Sequence, residues 1–236
     1  MKRVCIHQPD FAPWLGFFDR LVEADLYLVL DDVQFLRKGW HHRDKIKTAK
    51  GPAWLTLPVV KGPLDQRIDE VRLDAGVGMD KLVESLHQAY RRAPAFETTF
   101  EDVAAVLLAG HERLIDLNLA IIELLFARLE VSVPVAHASD FAVSERATAR
   151  LIALLEQVEA THYVTGTGSL DYLDRDAFRR ANIELEIQSY VPRPHPQLHG
   201  DFTPGLSALD AVFNCGAEAA RLIGPPEAGT TGTMVA

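Results

Sequence analysis

Three short stretches carry side chains suited to chemistry. The first, His7-Gln8-Pro9-Asp10, ends an apolar run at 3–6. A histidine there can act as a general base or hydrogen-bond a ligand, or simply satisfy a loop carbonyl. The second is Asp31-Asp32, which closes the apolar run 26–30. Two adjacent carboxylates can orient a base, hold a metal or receive an amine, and they also suit a plain Asx turn. Side chains alternate along a strand, so only one of the two is expected to face a site. The third stretch, Arg37-Lys38-Gly39-Trp40-His41-His42-Arg43-Asp44-Lys45-Ile46-Lys47, concentrates cations, imidazoles and an indole. Arginine grips a carboxylate or phosphate with two donors, and lysine adds a point charge. Trp40 can stack on a ring or exclude water. His41 and His42 diverge as neighbours on an extended chain, so they are not expected to form a metal site, and none is expected elsewhere.

Two further segments qualify. Gly166-Thr167-Gly168-Ser169 lies between a strand pattern and a helix-like stretch. Its backbone N–H groups could cradle an anion, although neither the dinucleotide fingerprint nor a Walker lysine is present. The loop PRPHPQLHGDFTPG brings His195 and His199 into a long irregular connection of the kind that often carries function. The two cysteines, Cys5 and Cys215, are far apart and lack metal or redox spacing. Cys5 is expected to be buried and inert. Cys215, beside a helix end, could be reactive, and nothing in the sequence makes it a nucleophile.

The elements that position these groups follow from hydrophobic periodicity. Residues 3–6 predict a strand stopped by Pro9. A helix starting near Pro13 carries Trp14, Phe17, Phe18, Leu21 and Val22 at helical spacing. Residues 26–30 predict a buried parallel strand, completing a βαβ unit. Ligands in such open sheets bind outside the carboxyl ends of the strands, where His7 and Asp31-Asp32 are predicted to fall. Strands are expected at 53–60 and 66–73, and helices at 81–91, 100–108 and 114–129. Next come a strand at 133–137, a helix over 144–158 capped by Ser144, and strands at 162–165 and 183–190. A last helix over 206–213 ends at Gly216 in an αL cap. The expected fold is α/β: a mostly parallel sheet flanked by helices, with a helical insertion at 80–131, one domain over 1–224, and a flexible tail over 225–236.

Composition narrows the function classes. Of the 236 residues, 48% are hydrophobic, enough for a substantial core. The formal net charge of −9 argues against nucleic acid or anionic membrane as a general partner. The most apolar stretch, 114–129, is interrupted by Asp116, Asn118, Glu123 and Arg128, so no membrane span is expected. No signal-peptide apolar region follows the basic start, and the expected location is cytoplasmic.

The stretch HQPDFAPWLGFFDRLVEADLYLVLDDVQF followed by WHHRDKIKTAKGPAWLTLPV, with TGTGSLDYLD, HPQLHGDF and LSALDAVFNCG later in the same order, resembles the WbqC-like protein family. The resemblance covers most of residues 3–220, and its specificity lies in the combined motifs. Members occur largely in bacterial polysaccharide and O-antigen gene clusters, and some are proposed to attach glycine or a related aminoacyl group to an amino sugar. The resemblance therefore implies an acyl or aminoacyl transferase that forms an amide on a nucleotide-linked or amine-bearing sugar. Where the family often has a neutral polar pair after the tryptophan, as in a W-Q-N-R run, this chain has His41-His42, pointing to a different substrate.

The expected mechanism uses these residues. His7 acts as general base, and Asp31 or Asp32 orients it or the acceptor ammonium. Arg43, Lys45 and Lys47 hold phosphate, with Gln8, Trp14, Trp40, His41, His42, Gly166, Ser169, His195 and His199 as further substrate contacts. The reading requires His7 and the cations of 43–47 to converge on one pocket. The residues demand no cofactor; a thioester-linked acyl donor fits, with an acyl carrier protein as its partner. Two alternatives keep the fold: a nucleotidyltransferase-like enzyme with magnesium on Asp31-Asp32, and a non-catalytic module for a sugar nucleotide or carrier protein.

Overall fold

A computed structural model of the chain describes residues 1–74, 77–168 and 173–225. Its centre is a five-stranded, wholly parallel sheet: β1 (Arg3–His7), β2 (Leu26–Val29), β5 (Val135–His137), β6 (His162–Gly166) and β7 (Glu184–Gln188), in the order β5-β2-β1-β6-β7. From β1 the chain adds strands first on one side, through β2 to β5, and then on the other, through β6 to β7. The order reverses between β1 and β6, which makes their carboxyl ends the topological switch point where open α/β sheets bind ligands. Arg3 on β1 pairs with Glu186 on β7, spanning β6 between them.

Both sheet faces are covered, and the central strands β1 and β2 bury apolar side chains on each of them. One face carries Cys5, Tyr27 and Val29 into the larger core, against α1 (Leu15–Leu21) and helices from the middle of the chain. Val4, Ile6 and Leu28 alternate to the other face and pack with Leu154, Leu155 and Phe178, from α5 (Ala147–Gln157) and α6 (Arg175–Arg180). Between β2 and β5 the chain forms an antiparallel hairpin, β3 (Arg43–Thr48) and β4 (Gly51–Thr56). It then forms three helices, α2 (Met79–Tyr90), α3 (Phe96–Leu108) and α4 (Leu114–Arg128). The final helix, α7 (Ala208–Cys215), packs beneath α3, with Phe213 stacked on Tyr90 at 4.6 Å.

Several boundaries differ from expectation. Residues 66–73 form no strand. A single 3-10 turn (Ile68–Glu70) replaces it, closed by Arg67 N–H donating to the Glu70 carboxylate at 3.0 Å, and only isolated bridges flank it. Ser144 caps nothing. Ala147 adopts φ 51°, a turn that keeps 144–146 out of the helix, so α5 begins three residues later than expected. Gly216 follows α7 with φ 58° and ψ −131°, a conformation open to glycine but not αL. The tail expected to be flexible lies outside the described residues from 226 onward. No described helix is long and apolar enough to cross a membrane.

One buried polar group ties the helical segment to the sheet's working edge. Asn118 on α4 is fully buried, and its Nδ2 donates to Pro9 O and His41 O, both at 2.7 Å. Phe11 N–H donates to Trp40 O at 3.1 Å, pinning the same two loops to each other. Asn118→Leu keeps the volume but orphans two buried carbonyls, each worth roughly 1–3 kcal/mol. Urea unfolding is expected to show a loss of about 2–4 kcal/mol with unchanged m; an unchanged midpoint would contradict the role assigned to this amide.

Candidate functional site

A cavity of about 950 Å³ opens at the carboxyl ends of β1, β6 and β7, beside the hairpin. His7, Gln8 and Asp10 reach it from β1, Gly166, Thr167 and Gly168 from β6, and Gln188 and Tyr190 from β7. Trp14, Phe17 and Arg20 line it from α1 and its lead-in, and Trp40 and Asp44 from the hairpin side.

The electrostatic centre is Arg20. It is buried on the helix face shared with Gly16 and Phe17, and its Nε donates to Gln188 Oε1 at 3.0 Å. Gln188 in turn donates to Asp19, which fixes the amide's orientation. Gly166 makes room for the guanidinium: a Cβ there would sit 3.1 Å from Arg20 Nη2. Among the described residues Arg20 forms no ion pair with a carboxylate, so its charge is directed at the cavity and its lining.

His7 is partly buried, and its Nδ1–H donates to Gln8 O at 2.8 Å, which leaves Nε2 as the acceptor. Desolvation first and the Arg20 charge second push its pKa down to about 3, so the ring is neutral at pH 7. Asp10 Oδ2 lies 3.9 Å from His7 Nδ1, while its Oδ1 is buried without a partner. Burial, opposed by Arg20, pushes the Asp10 carboxyl up to about 7. Asp44 is buried as well. Burial pushes it up to about 8, aided by the Asp10 charge and opposed by the Lys45 N–H bond to its Oδ1 at 2.6 Å. Among the described residues neither carboxyl pairs with a lysine or arginine. Among the described residues, the cavity thus holds two acids without an ion-paired cation and one cation without an ion-paired carboxylate.

Gln8 is oriented from behind. Leu36 N–H donates to His41 Nδ1 at 3.1 Å, so His41 carries its proton on Nε2, which donates to Gln8 Oε1 at 3.0 Å. The Gln8 amide nitrogen is thereby left for a ligand. Burial lowers His41 to about 4, keeping it neutral in this role.

The remaining expected site residues divide clearly. Gln8, Trp14, Trp40 and Gly166 line the cavity with His7; Ser169 lies outside the described residues. Asp31 does not orient His7. Its carboxylate accepts from Ser139 N and Oγ at 3.0 and 2.8 Å and faces His137 Nδ1 at 2.8 Å, clamping β2 to the end of β5. Asp32 pairs with Arg150 at 2.5 Å and holds α5. Both therefore sit on the far side of β1 from the switch point.

The expected convergence of His7 with the cations of 43–47 does not occur, because strand alternation sends them away from the face that carries Asp44 and Ile46. Arg43 donates to Lys38 O and lies 4.2 Å above the Trp54 ring, with Lys45 at 5.0 Å from the same ring. Lys47 is buried, and its ammonium donates to Gln197 Oε1 and to Gly200 O and Asp201 O, fastening the loop 191–205. His42 packs edge-on against Phe35 at 5.2 Å, outside the cavity. His199 Nε2 donates to Ala89 O at 2.8 Å as a loop latch. His195 lines a separate cavity of about 20 Å³, room for one water, behind Trp14 and 3.7 Å from Asp210. Cys5 is buried, with its thiol pushed up to about 11, and Cys215 is half-buried.

Arg20, Asp10 and Asp44 were not singled out from the sequence, although signals for each are present. Arg20 falls on an otherwise apolar helix face, four residues after Gly16 and three after Phe17. Asp44 sits out of phase with the cations on either side of it. Asp10 closes the His7 motif.

Fold and site together define an α/β protein with a cavity lined by titratable groups at the switch point of a parallel sheet. The WbqC-like protein family model matches residues 8–222. The uncharacterized protein Rv1507c of Mycobacterium tuberculosis is 34% identical over 222 residues, covering 93% of this chain and 96% of that protein. The chain belongs to the WbqC-like family. No solved structure matches it significantly.

The raised Asp10 pKa has a consequence for stability. The folded state holds this proton more tightly than the unfolded chain, whose aspartates titrate near 3.9. The folded state therefore loses stability as pH rises from about 4 through about 7. Asp10→Asn removes that loss. Urea titrations are expected to show the variant gaining on wild type by about 2–4 kcal/mol between pH 4 and pH 8. A pH-independent difference would show that Asp10 titrates normally.

Proposed function

We propose that the protein transfers an acyl or aminoacyl group from a thioester to the amine of an amino sugar, forming an amide. The observation that carries this reading is the pair of desolvated carboxyls, Asp10 and Asp44, facing one cavity with no cationic partner among the described residues. An ammonium group is the ligand that would restore their charge: bound between them it lowers both pKa values and relieves the desolvation. An uncharged acceptor would leave that penalty in place.

The chemistry has two protons to move, and two acids are available to move them. One carboxylate takes a proton from the bound ammonium, freeing the lone pair that attacks the thioester carbon. The new C–N bond forms as the carbonyl electrons move onto oxygen. The Arg20 guanidinium and the Gln8 amide supply donors for that oxyanion, held in place before the reaction begins. When the C–S bond breaks, the second carboxylate takes the remaining proton lost by nitrogen and delivers it to the leaving thiolate. A group titrating near 7 suits this work at neutral pH, whereas His7, held near 3, serves as a neutral hydrogen-bonding group rather than the base. In this reading the Asp31-Asp32 pair is structural, and its carboxylates are already engaged by Ser139, His137 and Arg150. The polysaccharide setting belongs to the same proposal and rests on the family resemblance, and a cytoplasmic location is proposed with it.

The test is direct. Full-length protein is incubated with a glycyl thioester of coenzyme A and a nucleotide-linked amino sugar, and the amide product is followed by mass spectrometry. Asp10→Asn is expected to lower kcat by roughly 10²–10⁴-fold, and Asp44→Asn to raise KM for the amine. Wild-type kcat/KM should rise with pH through about 7. Product formation unaffected by Asp10→Asn would overturn the assignment, and absence of amide with primary amines and thioesters of varied chain length would overturn the reaction class.

A further inference from the structure

The hairpin presents a second surface beside the cavity. Trp40 and Trp54 remain 47% and 44% exposed, with ring centroids 5.2 Å apart and planes inclined at 48°. Among the described residues no other tryptophan, tyrosine or phenylalanine side chain is exposed. Lys45 is paired directly across the hairpin with Trp54, and Arg43 approaches the ring from two residues away on the same face. Arg43 is held by the carbonyls of Lys38 and Gly39, at 2.5 and 3.3 Å. Lys45 has no carboxylate partner among the described residues. Trp40 belongs to both surfaces, because it also lines the cavity.

From this arrangement we infer that the Trp40–Trp54 rim, with Arg43 and Lys45, is the binding site for a nucleoside diphosphate whose attached group enters the cavity. The indoles provide stacking area for a planar base, and the cations stand where a diphosphate linked to that base would lie. On a chain with a formal charge of −9, a cationic and aromatic rim selects a small anion carrying a flat ring. An anion alone would need only the cations, and a neutral sugar only the rings. The inference deepens the transfer reading by naming the handle of one substrate, and it has two possible sources: the nucleotide of an activated amino sugar, or the adenosine diphosphate portion of a coenzyme A thioester.

Isothermal titration of the full chain with UDP, ADP, coenzyme A and inorganic pyrophosphate tests it without any acyl transfer, so binding stands or fails separately from the reaction. At least one nucleoside diphosphate is expected to bind more tightly than pyrophosphate by a factor of roughly ten or more, because the base gains stacking on an indole that pyrophosphate cannot make. Trp54→Ala should remove most of that advantage. Lys45→Glu, an exposed charge reversal that leaves the indoles in place, should weaken the nucleotide about tenfold and flatten the salt dependence of binding. Asp10→Asn should leave nucleotide affinity unchanged even where it abolishes transfer. Preference for UDP assigns the rim to the acceptor, and preference for ADP or coenzyme A assigns it to the donor. Equal binding of pyrophosphate and nucleotides, no binding of any of the four, an unaltered affinity in Trp54→Ala, or displacement of bound nucleotide by maltotriose would each overturn the inference.

Discussion

The site depends on one constraint: a guanidinium must sit in the interior at the carboxyl end of the sheet with no ion-paired carboxylate among the described residues. A buried arginine is tolerated only when its donors are met and its charge has something to act on. Gln188 meets one donor of Arg20, Asp19 fixes Gln188, and the missing side chain of Gly166 supplies the space. What remains is a positive field at the switch point. It adds to desolvation in holding His7 neutral, and it opposes desolvation at Asp10, which without it would sit still higher. Moving Arg20 would therefore change the protonation of two neighbours as well as remove a contact.

The residues around this centre form a support system that is mostly neutral. His41 is tautomerically fixed between Leu36 N–H and the Gln8 amide oxygen. Asn118, from a helix 109 positions beyond Pro9 and 77 beyond His41, holds the carbonyls of both loops that deliver these groups. The helical segment between β4 and β5 consequently braces the cavity wall. The loop 191–205 is fastened to the hairpin through Lys47, whose ammonium satisfies backbone carbonyls instead of a substrate. A lysine ammonium has three donors and no acceptor, and once Gln197, Gly200 and Asp201 take them, little is left for phosphate.

Much of the fold was legible because hydrophobic alternation and helical spacing are strong signals in buried parallel strands and amphipathic helices. The βαβ opening, the three central helices and the placement of His7 at a strand end all follow from such patterns. The misreadings have local causes. Residues 66–73 have strand-like composition, but a side-chain carboxylate closes a turn there; the start of α5 is decided by the backbone angle at Ala147 rather than by a capping serine. For the site, residue type was a good guide to chemistry and a poor guide to direction. Asp31 and Asp32 lie at a strand end, as expected. Whether such a pair faces the switch point depends on which side of β1 its strand occupies, and strand order is not written in any single segment.

The basic stretch shows the same limit most sharply. Eleven residues from Arg37 to Lys47 read as one cationic feature, yet the folded hairpin separates them into three environments by the two-residue period of a strand and the reach of each side chain. Asp44 turns inward to the cavity, where its neighbours' charges are weakened by direction and it resists ionisation. Arg43 and Lys45 turn outward to the indole of Trp54, and Lys47, two positions further along, is roofed by a loop distant in sequence. A carboxyl that resists ionisation inside and cations gathered on aromatics outside are opposite halves of one alternating strand. That arrangement lets a short segment present an acid to the cavity and a positive, stacking surface at its rim, while Trp40 touches both.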